Sequence, residues 1–398
     1  MATTLVSEVV GTGEEGAFER LLLHAEVVYN GLGMPRSDGG VLLQRAGAGP
    51  ASLTVADVRD RAGTARAFPE ARLVDGGFAV SPPVVNAHTH LDLSNMEFRP
   101  ASYPEFIARV VAEGRAGRRG VEAARRGLAE LRALGTTVVG DIVTDPAVMR
   151  LLLAEPDLTG VAYWEVFAPF PEQADEVFGA TVELLAGFRA LQRPGGMRVG
   201  LSPHTPHTVS APLMQRLAAW ARAEGLPVAI HVAESPGEAE LFLTGSGPLA
   251  ESLAAAGLPV QSRGVSPVRY LHDLGVLATA PTLVHMVEVD EEDVRLTARA
   301  NATVVHCPRS NEALGCGRFP WQLYAKHSVE VAFGTDSRGS SPDLDVTREV
   351  AKAAELHGAA ANPRALVRAA VKGGHKVLGL TPPQVLRGAQ ADGLVVWT

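Results

Sequence analysis

The chain has only two cysteines, Cys307 and Cys316, in 398 residues. That scarcity excludes a disulfide scaffold and suits a reducing compartment, with packing as the expected role of both thiols. No uncharged apolar run approaches the length needed to cross a bilayer, and the N-terminal MATTLVSEVVGTGEEG lacks the basic start and apolar core of a leader. A cytoplasmic protein with no membrane partner is the expectation. Positive charge is not in excess either. A net charge of −8 gives no electrostatic reason to expect nucleic acid or an anionic membrane as partner. Internal repeats and low-complexity linkers are also missing, and a small molecule remains as the expected partner.

What is present is a long, core-forming chain. A hydrophobic fraction of 46% supports a sizeable core, and 398 residues exceed the usual single one, so a large domain with an accessory unit is expected. From about residue 84 to 340, β-rich runs alternate with helical stretches. The runs are VVNAHTH, TTVVGDIV from 136, GVAYWEVF from 160, MRVGLSPH from 197, PVAIHVAE from 227, TLVHMV from 282, NATVVHCP from 301 and VEVAFGTD from 329. Between them, EAARRGLAELRAL and APLMQRLAAWARAEG place apolar residues three and four apart with charges opposite, as amphipathic helices do. Strands alternating with helices predict an α/β fold, a (β/α)8 TIM barrel whose chemistry sits at the carboxyl ends of the strands.

The first 80 residues read as short strands (LLLHAEVVYN, GVLLQRA, SLTVADV) broken by Gly- and Pro-bearing turns, and GLVVWT closes the chain with another. The expected organisation is residues 81–380 as the barrel, flanked by strand-like runs in 1–80 and 381–398.

Six stretches in chain order carry the chemistry: HTH at 88–90, SPH at 202–204, HVAE at 231–234, HM at 285–286, HCPRSN at 306–311 and GTDS at 334–337. His88 and His90 are one residue apart at the end of a strand-like run, so both imidazoles leave on one face. His231 and Asp336 close two further runs. Three imidazoles and a carboxylate make a metal ligand set that suits zinc first and Fe2+, Mn2+ or cobalt as well. The spacing is too long for a zinc finger and right for ligands gathered by a closed barrel. Such an ion would leave room for one water and lower its pKa toward neutrality. Any one of the twelve histidines alone is more simply a packed or surface residue. The ordered set is what carries the reading.

The motifs VNAHTHLDLSN, SPHTPHTVS, HVAES, HCPRSN and GTDS resemble the amidohydrolase superfamily, in its mononuclear deaminase and chlorohydrolase branch, over nearly the whole chain. The resemblance implies a barrel carrying a small β-sandwich built from both termini. It implies one divalent metal, because the fourth run, ending VGLSPH, has no lysine where binuclear members carry a carbamylated bridge. Catalytic roles follow from it for Glu234 as proton shuttle, His285 as a neutral partner of the attacking oxygen, and Asp336 as both ligand and proton acceptor.

His204 resembles the substrate-contacting histidine of the branch. His207 departs from the pattern, standing where many members carry tyrosine. His306, Ser310 and Asn311 would shape the pocket floor. By position, Phe106, Arg115 and Ser340 are candidate substrate contacts. His24, His272, His327, His357 and His375 match no motif and are expected on surfaces or in helices.

Within the branch, HLDLSN, SYPEFIARVV and GTDSRGS look most like aminodeoxyfutalosine deaminases of the alternative menaquinone route. A substrate with a benzoate tail would want a cation at the pocket mouth, with Arg109, Arg115, Arg309 and Arg338 as candidates. The same ligand set would serve a guanine, cytosine, S-adenosylhomocysteine or methylthioadenosine deaminase, a chlorohydrolase, a cyclic amide hydrolase, or a metal-binding scaffold without turnover. The segment 243–268 is a candidate lid and a homodimer a candidate assembly.

Overall fold

The computed structural model describes residues 3–6, 8, 20–30, 35–45, 53–391 and 393–398. Most of the N-terminal stretch read for a leader, and the turns expected after the first strands at 31–34 and 46–52, lie outside the described residues.

The first strands belong to one mixed sheet. Its members are β1 (Thr3–Leu5), β2 (Arg20–Val28), β3 (Arg36–Arg45), β4 (Leu53–Asp60), β5 (Arg72–Asp75), β6 (Ala79–Ser81) and, from the far end of the chain, β15 (Val395–Trp397). The order is β1-β15-β6-β2-β3-β4, with β5 also on β2. Both chain ends therefore meet, as expected. They do so in one hydrogen-bonded sheet, because β6 pairs with β15 on one side and β2 on the other and bridges the two halves. Leu21, Leu23, Val41, Leu43, Val55, Val80 and Val396 make its apolar core. His24, expected on a surface or helix, instead sits buried within β2.

All eight expected strands of the central region form: β7 (Asn86–Thr89), β8 (Val138–Val143), β9 (Thr159–Val166), β10 (Met197–Pro203), β11 (Ala229–Val232), β12 (Thr282–His285), β13 (Thr303–His306) and β14 (Val331–Phe333). They pair in parallel as two four-stranded sheets, β10-β9-β8-β7 and β11-β12-β13-β14. Single parallel bridges, Leu201–Val228 and Thr89–Asp336, join the sheets near both edges. Strands of this kind are apolar on both faces, which is why the runs read as nearly continuous Val, Ile and Ala. One core of Val85, Ile142, Val161, Tyr163, Ala229, Val284, Val305 and Ala332 lies inside the strands. A second, larger one lies between strands and helices, where Leu128 and Leu131 of Val121–Ala133 and Leu213 and Leu217 of Ala211–Glu224 pack.

One glycine positions the site. A side chain at Gly334 would meet His88 Cβ at 2.7 Å and its backbone N and O at 2.9 Å. Only a residue without Cβ lets the end of β14 lie against β7. Asp336 is thereby delivered beside His88, with its backbone N–H donating to the His88 carbonyl at 3.0 Å. Among the described residues no helix is long and apolar enough to cross a membrane.

Candidate active site

The carboxyl ends of the parallel strands converge on one cavity, lined by His90, Glu165, His204, His231, Glu234, His285, Asp336 and Ser337 on its polar side. Leu93, Tyr103, Phe106, Ile107 and Val110 form the apolar side. The last four come from the Tyr103–Arg115 helix, which Ser102 and Glu105 start through a reciprocal capping box.

Four donor atoms on the floor stand close together. His90 Nε2 is 3.3 Å from His231 Nε2 and 3.4 Å from Asp336 Oδ1, and His88 Nε2 is 3.5 Å from the same oxygen. Neighbouring donors in a tetrahedral site with bonds of about 2.1 Å stand about 3.4 Å apart. These three separations, of the six edges that a four-ligand site would have, match that edge length.

Hydrogen bonds to the far side of each group aim it. His231 Nδ1 faces the His204 carbonyl at 3.0 Å, which places its proton there and frees the Nε2 lone pair. Asp336 Oδ2 accepts from Ser310 Oγ at 2.7 Å and Ser340 Oγ at 2.8 Å, leaving Oδ1 toward the imidazoles. The buried His88 Nε2 has no protein hydrogen-bond partner, as an atom reserved for a metal should not. This donor set therefore fits a zinc-class ion.

Two other clusters compete for that reading and fail on tautomer grounds. His88, His231 and His285 are close enough to share an ion, as are Glu165, His204 and His231. Yet His285 Nδ1 accepts from Asn311 Nδ2 at 3.0 Å, so its proton is on Nε2 and no lone pair points inward. His231 Nδ1, the atom nearest Glu165, is spent on the His204 carbonyl. One site remains.

Burial sets the charge states. Desolvation, helped by the neighbouring imidazoles, holds His90 well below its ordinary pKa and brings His231 down to about 4, so both are neutral near pH 7, the form in which an imidazole can bind a metal. Burial alone would raise Asp336, but the facing imidazoles of His88, His90 and His285 outweigh it and hold the carboxyl well below the usual range.

Glu234 goes the other way. Burial first, then the charges of Asp336 and Glu238, push it well above the carboxylate range, against hydrogen bonds from Tyr103 and Cys316. Its Oε1 is 3.6 Å from His285 Nε2. Backbone strain gathers at the same strand ends, where Ala233, His285, Met286 and Asp336 have φ of +52°, +73°, +50° and +59°. Each such residue costs about 1–3 kcal/mol, a burden typical of sites whose geometry is over-determined by their surroundings.

The structure brings together His88, His90, His231, Asp336, Glu234, His285, His204 and Phe106. Two expected contacts are corrected. Arg115 lies at the exposed end of its helix and does not line the cavity, because the helix turns its Tyr103, Phe106 and Val110 face inward. Ser340 is fully buried on Asp336 Oδ2, so it orients the acid and does not line the cavity.

The other candidate arginines are engaged elsewhere. Arg309 is bound by Glu349 and Asp343, Arg109 donates to the carbonyls of Glu97 and Arg99, and Arg338 faces Glu130. The arginine that does line the cavity is Arg119, whose Nε and Nη2 hold Asp92 Oδ2 at 3.0 and 2.8 Å. Glu165 was also missed. Its signal was a single acid inside the apolar run GVAYWEVF, one residue before the strand end. Its buried Oε1 has no hydrogen-bond partner and lies 4.0 Å from His204 Nε2. His306 and Asn311 stay behind the cavity, His306 stacked on Phe319 with ring centroids 4.0 Å apart.

A metal-suited floor at the ends of parallel strands, with a buried acid whose pKa is raised beside it, defines a metal-dependent hydrolase of the amidohydrolase class. The chain belongs to the amidohydrolase family, whose profile matches residues 79–397. It is 48% identical over 376 residues to the aminodeoxyfutalosine deaminase of Deinococcus radiodurans, covering 92% of this chain and 88% of that protein. It is 30% identical over 339 residues to a 5-methylthioadenosine/S-adenosylhomocysteine deaminase of Natronomonas pharaonis, covering 80% of this chain and 73% of the other. In fold it resembles the crystal structure of Helicobacter pylori aminofutalosine deaminase in complex with methylthio-coformycin. That match has a TM-score of 0.73 at 20% identity, over 94% of this chain and 91% of that one.

Proposed function

We propose that this chain is a metal-dependent hydrolytic deaminase of an aminopurine nucleoside, with 6-aminodeoxyfutalosine as substrate. The similarity to the Deinococcus radiodurans enzyme over 92% of the chain carries the choice of substrate. The buried Glu234, lining the cavity beside the ligand cluster with its Oε1 3.6 Å from His285 Nε2, carries the choice of chemistry.

His88, His90, His231 and Asp336 would hold one divalent ion, zinc by default, and such an ion, when bound, acidifies water and supplies a nucleophile near neutral pH. Glu234 gives its proton to the ring nitrogen next to the amino-bearing carbon, which makes that carbon electrophilic. His285, carrying its proton on Nε2, donates to the incoming oxygen. Asp336, ionised, accepts one proton from the attacking water and passes it to the amino group, which leaves as ammonia as its C–N bond breaks, while the water's second proton restores Glu234. The wall supplies the rest: Phe106, Ile107 and Val110 cover the base, and the unpartnered Glu165 Oε1 and the remaining Arg119 donors meet the hydroxyls of the sugar.

The same reading closes the eight strands into a single (β/α)8 barrel over residues 81–380. The terminal sheet, folded over its own core, would form a separate sandwich from residues 1–80 and 381–398.

An ammonia-release panel on the metal-loaded protein tests the proposal. With 6-aminodeoxyfutalosine, methylthioadenosine, S-adenosylhomocysteine, adenosine, guanine and cytosine as substrates, kcat/KM should be highest for 6-aminodeoxyfutalosine. A higher value for methylthioadenosine or S-adenosylhomocysteine would move the substrate to the group of the Natronomonas relative. Release from none of the six would leave a metal-binding scaffold.

A further inference from the structure

His207 has no role in the reading so far, although it replaces the tyrosine common in the branch the sequence resembles. It is buried, and its Nδ1 has no hydrogen-bond partner. The atom it faces, Glu238 Oε1 at 3.9 Å, is buried and equally without a partner. Both side chains are nearly sealed from solvent, at 8% and 4% exposure.

The other oxygen of Glu238 is occupied. Glu238 lies in the first turn of the Pro236–Thr244 helix and reaches back, so that its Oε2 accepts from the backbone N–H of Glu234 at 2.9 Å. That N–H shares a peptide unit with the carbonyl of Ala233, which accepts from the amides of Val287 and Glu288 at 2.8 and 2.9 Å. The unit that aims Glu234 is thus held at both its polar atoms. It needs holding, because Ala233 is left-handed at φ +52°.

We propose that Glu238 and His207 are positioning residues for Glu234. Glu238 clamps the Ala233–Glu234 peptide, and His207, with its proton on Nδ1, donates to the second oxygen of Glu238 after a small rotation. A neutral imidazole and a phenol each offer one donor, so histidine can stand where relatives use tyrosine without loss of the contact. The functional half of this inference rests on Glu234 as the proton carrier.

The test uses the metal-loaded full chain, steady-state kinetics with 6-aminodeoxyfutalosine, and amide hydrogen exchange at Glu234. Glu238→Leu should lower kcat on the order of 10²-fold, the scale of a roughly 1 Å misplacement of a reacting group. KM and metal content should stay with the parent, and the Glu234 amide should exchange about tenfold faster or more. Glu238→Gln should recover most of both, since its amide oxygen still accepts from that N–H. His207→Phe and His207→Tyr differ by one hydroxyl; the first should lose rate and protection and the second keep them.

Equal behaviour of the two His207 variants would overturn the role of His207. Unchanged exchange in Glu238→Leu would overturn the clamp. If Glu238→Leu does not fold, the Gln variant and the His207 pair still decide, because exchange needs no turnover. If Glu234→Gln keeps full rate while exchange responds as expected, the proton-carrier reading fails and the clamp stands.

Discussion

The floor and the wall of the cavity are built to opposite rules. On the floor, groups behind the site hold three of the side chains: His231 by the His204 carbonyl, Asp336 by Ser310 and Ser340, His285 by Asn311. On the wall, Glu165 Oε1 has no partner, and Arg119 commits Nε and Nη2 to Asp92 and Thr144. Saturated groups cannot reorient, and so they hold a geometry. Unsaturated ones in a buried place are costly until something binds them, and so they select a ligand. Chemistry and specificity are therefore separable here by counting hydrogen bonds.

The sharpest way to break that separation is at Glu234. Glu234→Gln should lower kcat by about 10³-fold, within the range for a general acid–base group, while metal analysis finds the ion retained. Asp336→Asn should lose turnover and metal together. Full rate in Glu234→Gln would remove the proton carrier and leave the floor a binding site only.

A smaller effect is expected behind the floor. Ser310→Ala and Ser340→Ala each free one bond to Asp336 Oδ2 and should weaken metal affinity by about 10-fold, the low end for residues that orient a ligand. Competition with a chelator reads this directly. If Ser340→Ala instead raised KM alone, its expected role as a substrate contact would return.

The smallest effects belong to the wall. Glu165→Gln should raise KM by about 10-fold, the weight of one hydrogen bond to a buried charge, with kcat within a few-fold. Arg115→Ala, on the exposed helix end, should change neither. A KM effect at Arg115 and none at Glu165 would reverse the assignment of the wall.

The two regions also differ in how far they could be read in advance. His88 and His90 were legible because period-two alternation puts i and i+2 on one strand face, and His231 and Asp336 because each ends an apolar run. All eight central strands appear where their runs predict them. The wall was much less legible. Phe106, picked from its position after the first ligands, lines the cavity, whereas Arg115, picked by the same kind of argument, does not, and Arg119, which does, was not singled out. Which face of the Tyr103–Arg115 helix turns inward depends on packing against Leu241, Phe242, Leu249 and Leu253, residues more than a hundred positions away. Ser340 was noticed for its distance along the chain from Asp336, while its hydroxyl's direction depended on the turn that follows.

The sequence by itself determined the eight strands and the candidate ligands at their ends, because those follow from periodicities of two and about four residues that local backbone geometry imposes, and its motifs carried the resemblance to the family. Only the tertiary structure decided which polar groups are satisfied and which are left open: Arg119 over Arg115, Glu165 as the bare acid, Ser340 on Asp336, His207 against Glu238. Hydrogen-bond satisfaction is a property of atoms brought together from distant segments, and no local pattern records it.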